Sequence, residues 1–175
     1  MIKKIALAVV VLIAAVLIYA ATRPGTLHVE RSAVINAPAA KIAPLITDFH
    51  QWGQWSPYEM IDPGMKRTYS GAAAGKGAVY EWEGNNEVGA GRMEITETSP
   101  TRVTIKLDFT SPLEGHNIAE FVLVPQGDTT NVLWTMDGPT PYVGKLLGIF
   151  MNMDTMIGGA FDQGLANMKA IAEKS

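Results

Sequence analysis

Hydrophobic and polar positions follow three different rhythms along the chain. Residues 5–21 are 17 consecutive positions without a charge, built mainly of Ala, Val, Leu and Ile. Coiled as a helix they span roughly 26 Å, enough for a bilayer core. Beyond residue 26 the period becomes two. Residues 26–36 read as a strand with Leu27, Val29, Ala33 and Ile35 on one face. Six more strands follow at 67–70, 77–83, 87–97, 102–109, 115–124 and 130–137, separated by tight turns such as Gly84-Asn85-Asn86 and Thr98-Ser99-Pro100. The clearest alternation sets Val103, Ile105, Leu107 and Phe109 against Arg102, Thr104, Lys106 and Asp108. In residues 141–173 the period turns helical, with Tyr142, Leu146, Ile149, Met153, Met156 and Ala160 continued by Phe161, Leu165 and Met168. One long helix is expected there, weakened by Gly158-Gly159.

Two short helices are expected after the first strand. One covers 39–46, with Pro44 in its interior, and the other runs from an Asp48 cap through Trp55. Ser56-Pro57 and Asp62-Pro63-Gly64 read as turns. Strands in series with short turns form an antiparallel meander. A single long helix and a sheet with one apolar face are both buried if the sheet wraps the helix. The expected fold is therefore α+β: a helix-grip with a seven-stranded antiparallel sheet around a long C-terminal helix. The expected organisation is a transmembrane helix over 1–22, a linker over 23–25 and one domain over 26–175.

A cleaved signal peptide is the rival reading of the first segment. Cleavage after Ala20 or Ala21 would put Ile18 or Tyr19 at the −3 position, where a small residue is needed, so an uncleaved signal-anchor is favoured. Lys3 and Lys4 precede the span, while Arg23, Arg31 and Lys41 follow it, so basic charge nearly balances. The short leading tail puts the N-terminus in the cytoplasm and the domain outside, in the periplasm of a two-membrane cell. A linker of three residues reaches about 10 Å at most, which holds the domain against the lipid. Removing residues 1–22 leaves 12 basic and 17 acidic side chains, net −5, a poor match for nucleic acid. With no cysteine there is no disulfide, thiolate site or Cys nucleophile.

Candidate chemistry is sparse. His28, His50 and His116 have no metal-ligand spacing, and neither metal nor cofactor is expected. Gly71–Gly77 carries Lys76 but lacks the Ser/Thr of a phosphate loop and precedes a strand, so it reads as an inter-strand loop. Gly89 and Gly91 mark a bulge or bend. Parity turns Asn117, Ala119 and Phe121 inward and His116 and Glu120 outward. Asn117 is then either a ligand hydrogen-bonder or a core amide. Tyr80, Trp82, Met93, Phe121, Trp134 and Met136 from the sheet, with Phe150, Met153 and Ile157 from the helix, are the candidate lining of an apolar pocket. Trp52 and Trp55 are expected to pin the short helices. The inward faces offer Asn117, Tyr80 and Arg31 but no clear carboxylate or histidine, so no catalytic residue is named.

Several segments resemble the START-like, or SRPBCC, superfamily, in its polyketide cyclase/dehydrase and lipid transport branch. They are Val34-Ile-Asn-Ala-Pro38, Asp48-Phe-His-Gln-Trp52-Gly-Gln-Trp55-Ser-Pro57, Gly89-Ala-Gly91-Arg-Met-Glu-Ile95, Glu120-Phe-Val-Leu-Val-Pro125, Val132-Leu-Trp134 and Phe161-Asp-Gln-Gly-Leu165. The likeness extends over about residues 26–173, and its Trp-x-x-Trp-x-Pro element is the most specific part. It implies a deep cavity between sheet and helix for a hydrophobic ligand, without implying a shared reaction. The leading expectation is a membrane-anchored protein that binds a lipid or other hydrophobic small molecule. The alternatives are a cyclase or dehydratase acting on such a molecule, and a non-catalytic assembly factor with a small or filled cavity. Leu146, Leu147, Ile149, Phe150 and Met151 cover more than one helix face. That start of the helix is expected to touch the membrane, form the cavity mouth, or meet another segment or a partner protein.

Overall fold

The computed structural model describes residues 1–174; the expected domain end at Ser175 lies outside the described residues. Helix α1 (Ile2–Thr22) has a mean hydropathy of 2.8 and leaves nearly all its side chains exposed. Among the described residues it is the one helix long and apolar enough to cross a membrane. After residues 23–25 comes β1 (Thr26–Ile35). Then follow α2 (Ala39–Thr47), a 3-10 helix (Phe49–Gln54) and α3 (Pro57–Ile61). Six strands come next: β2 (Lys66–Gly71), β3 (Ala78–Glu83), β4 (Ala90–Ser99), β5 (Arg102–Ser111), β6 (Gly115–Gln126) and β7 (Thr129–Pro139). Helices α4 (Tyr142–Phe150) and α5 (Met153–Ala172) complete the described chain.

All seven strands form one antiparallel sheet in the order β1-β7-β6-β5-β4-β3-β2. The register confirms the alternation: Tyr80 faces Met93, Met93 faces Leu107, Leu107 faces Asn117, and Phe121 faces Trp134. These inward residues are buried, and α5 packs into the curve of the sheet with Phe161, Leu165, Met168 and Ala172 in the core. The fold is the expected helix-grip. A bulge between Ala90 and Gly91 lets the indole of Trp82 lie on Gly91, where a Cβ would overlap it.

Three local expectations are corrected. The 87–97 strand begins only at Ala90, because the Asn85 side chain accepts the amides of Glu87 and Val88 and holds them in a turn. The Ser56-Pro57 turn is the start of a third short helix, α3; proline is favoured at the first helical position, where its missing N–H is not needed. The long helix is two helices. Asn152 accepts the amide of Thr155 at 3.1 Å and caps α5, so the chain breaks at Met151 and Asn152 rather than at Gly158-Gly159.

The last four carbonyls of α2 are all satisfied, which fixes the segment leading to α3. Pro44 accepts from the Asp48 amide and Thr47 from the Gly75 amide. Leu45 and Ile46 accept from the indoles of Trp55 and Trp52, at 2.8 and 3.0 Å. The Gly75 amide of the 71–77 loop is thereby committed to a helix end rather than to a phosphate.

Helix α5 is fastened to the β1 edge by Arg31. Its guanidinium bonds Asp154 at 3.0 Å, Asp162 at 3.3 Å and the Glu30 carbonyl at 2.7 Å. Arg31, expected on the inward face, thus serves the sheet edge and not the interior. A Cβ at Gly158 would overlap the guanidinium, so glycine lets the helix approach. In an Arg31→Ala background, Gly158→Ala is expected to stabilise by about 1 kcal/mol, the helix-propensity difference. In the wild-type background that gain is cancelled or reversed. Chemical denaturation of the four variants measures the coupling; equal effects in both backgrounds would refute the contact.

Candidate ligand cavity

The space between sheet and helices is filled at one end and open at the other. At the filled end, Trp134 stacks on Phe161 with centroids 3.9 Å apart and planes 7° from parallel. Phe121 also stacks on Trp134, at 4.8 Å, and Trp55 meets Trp134 and Phe121 edge-on at 5.5 and 6.0 Å. At the open end lies a cavity of about 350 Å³ bounded by the sheet, α3 and the first turns of α5. Its wall is largely apolar.

Eight of the expected residues meet there: Tyr80, Trp82, Met93, Asn117, Trp134, Met136, Met153 and Ile157. Phe121 and Phe150 do not. Phe121 is inward but sits farther along β6, fully buried in the aromatic stack. Phe150 ends α4, is 78 % exposed and borders an outer groove, because the break before α5 turns it away from the cavity. Met156 is likewise exposed.

Three polar groups stand out on this wall. The side-chain amide of Asn117 is buried beside Gly138, in space that a Cβ there would occupy, and it has no hydrogen-bond partner among the described residues. The Trp134 indole N–H is also buried without a partner among the described residues. Glu59, from α3, is the carboxylate that strand parity does not reveal. It accepts from the Tyr80 hydroxyl at 2.5 Å and from Arg67 Nε at 2.7 Å, with its side chain 7 % exposed. The sequence carries a signal for it: Ser56-Pro-Tyr-Glu59 has the spacing of a helix-start capping box. In the structure Ser56 makes no side-chain cap bond, and Glu59 turns to the cavity instead.

The electrostatics follow the burial. The Tyr80 phenol is held well above its ordinary value by burial and then by its bond to the Glu59 carboxylate. Burial pushes the neighbouring Tyr58 phenol up to about 12. The Glu59 hydrogen bond raises the Arg67 guanidinium further. Among the described residues no group of three or more His, Cys, Asp or Glu side chains could hold a metal.

Residues 26–173 match the family described as polyketide cyclase/dehydrase and lipid transport. The chain belongs to this family. Among solved structures, the di-domain ARO/CYC protein BexL of the BE-7585A biosynthetic pathway is similar at TM-score 0.67 and 13% identity, over 90% of this chain and 53% of that one. A protein from Chromobacterium violaceum is similar at TM-score 0.60 and 17% identity, over 87% and 100% of the two chains. The Aha1 dimer from Colwellia psychrerythraea gives TM-score 0.60 and 15% identity, over 85% and 97%. At these identities the likeness is one of fold. No curated protein matches the sequence significantly. In this family member the cavity wall therefore has to be read from its own residues.

Both raised phenols are neutral in the folded chain. The stability this contributes is complete below the ordinary phenol value of 10.0 and is lost as pH rises past it. Melting temperature is expected to fall from about pH 10 toward about pH 12, and less steeply in Tyr80→Phe, although that variant melts lower at neutral pH. An unchanged slope would mean that the Tyr80 hydroxyl is not held as described.

Proposed function

We propose that the protein is a membrane-anchored binder of a hydrophobic small molecule or lipid, held between the sheet and α5. The observation that carries this reading is the open, apolar cavity with the unpartnered Asn117 amide on its wall. Its volume falls in the range of small-molecule sites, which combine apolar walls with a few polar groups. Apolar burial supplies affinity at about 25 cal/mol per Å², while Asn117 and the Glu59–Tyr80 pair orient the polar end of the ligand. The mechanism is sequestration from water. The α1 helix is the anchor, its N-terminus cytoplasmic and the domain on the periplasmic side, held close to the lipid by residues 23–25.

Filling the cavity tests this reading. Ile157→Trp is expected to weaken binding of the apolar fluorophore N-phenyl-1-naphthylamine by about tenfold or more, since the added ring occupies the site. Met156→Trp, at the adjacent but exposed position, is expected to leave binding unchanged. Equal affinities in the two variants would remove the cavity as the binding site.

A second reading, an enzyme of the cyclase or dehydratase type, is favoured by one observation: the Glu59 carboxylate at the cavity wall. General acid–base chemistry needs such a group within reach of the substrate. Both Glu59 oxygens already accept hydrogen bonds, one from Tyr80 and one from Arg67, which suits orientation better than proton transfer. The compound extracted from Glu59→Gln is expected to be the one extracted from the wild type. A different compound, converted when wild-type protein is added, would establish the enzyme.

A further inference from the structure

Where α1 ends, a groove of about 510 Å³ runs between residues 23–27 and the junction of α4 with α5. Leu27, Thr140, Gly144 and Met153 line this groove and also line the cavity. Groove and cavity are thus back to back across shared side chains.

Helix α4 lies against α1, and the Tyr142 hydroxyl donates to the Leu17 carbonyl at 2.7 Å. Leu17 sits about 7 Å before the end of α1, at about 1.5 Å per residue. A bilayer crossed by α1 therefore also covers α4. That helix has no buried residue and exposes Tyr142, Val143, Leu147 and Phe150. Tyrosine is a favoured residue of the membrane–water interface, and here its hydroxyl is satisfied by the α1 backbone.

Two cations border the groove at the level where the span ends, Arg23 and Lys145. Neither has a salt-bridge partner among the described residues; Arg23 lies over the Tyr19 ring, 5.8 Å from its centroid. Asp154, the acidic residue of the lining, is paired with Arg31 at 3.0 Å. An apolar helix in the acyl region, cations at headgroup height and a thin wall to an apolar cavity suit one ligand class.

We propose that this groove binds a glycerophospholipid from the leaflet, its phosphate on Arg23 and Lys145 and its acyl chain directed past Leu27 and Met153 toward the cavity. The proposal rests on reading α1 as a membrane anchor and the cavity as the ligand site. It makes α4 an interfacial helix, and it makes the groove the route by which a hydrophobic ligand passes between bilayer and cavity.

The test uses the full chain in phosphatidylglycerol vesicles with a trace of phospholipid carrying a diazirine at the end of one acyl chain. Irradiation and peptide mass spectrometry locate the adducts. Adducts are expected on the segment containing Phe150, Met151 and Met153, as well as on α1. Lys145→Glu is expected to lower the yield at that segment about fivefold while leaving the α1 adducts unchanged, the effect of one basic residue near an anionic surface. Arg23→Gln with Lys145→Gln gives the same direction without introducing a negative charge. Adducts confined to α1, or a yield indifferent to both variants, would overturn the proposal. So would competition by inorganic phosphate at the same concentration, which would make free phosphate the ligand. N-phenyl-1-naphthylamine binding by the wild type in detergent separates the two readings. If it persists while the groove adducts are missing, the groove fails and the cavity stands; if it is lost, the cavity reading falls as well.

Discussion

How deep α5 sits in the sheet is set by one contact, the near-parallel stack of Trp134 on Phe161. Planar rings at van der Waals distance leave the helix little freedom to slide toward β7 or away from it. The stack depends on glycine: a Cβ at Gly164 would press on the Trp134 ring and on Pro57. Arg31 supplies the second fastening, and Gly158 the room for it. The stack acts on the middle of α5, and Arg31 reaches from Asp154 in its first turn to Asp162 two turns on. Helix α4 buries no residue, and the cavity lies under its start and the first turns of α5. An interior close-packed at one end and open at the other follows from where the aromatic residues fall along the strands.

That division explains which parts of the architecture are legible in the sequence. Strand parity sorts Tyr80, Met93, Asn117 and Met136 to the inner face because a period of two leaves no choice once one face is buried. Parity carries no information about depth along a strand. Phe121 and Trp134 therefore look alike in sequence, yet Phe121 is closed inside the stack and Trp134 also borders the cavity. The apolar stripe of Leu146, Ile149, Met153 and Met156 runs unbroken across the end of α4, so periodicity joins two helices that the Asn152 cap separates. Phe150 is misplaced for the same reason. Glu59 escapes because α3 has only five residues, too few for a period, and begins at a proline that also starts turns.

The polar groups around the cavity divide into satisfied and unsatisfied. Glu59 is held by Tyr80 and Arg67, and a buried carboxylate so held resists losing either partner. The Asn117 amide is the opposite case: it lies on the cavity wall with no hydrogen-bond partner among the described residues. A ligand that supplied a partner there would gain about one net hydrogen bond, roughly 0.5–1.5 kcal/mol.

Whether the cavity is occupied decides the central claim. The most direct measurement is native mass spectrometry of the full chain purified in a mild detergent, with the bound species released and identified by fragmentation. A hydrophobic compound at about one per chain, small enough for a site at the lower end of the small-molecule range, is the expected result. The bare polypeptide mass, unchanged after incubation with a total lipid extract, would contradict it.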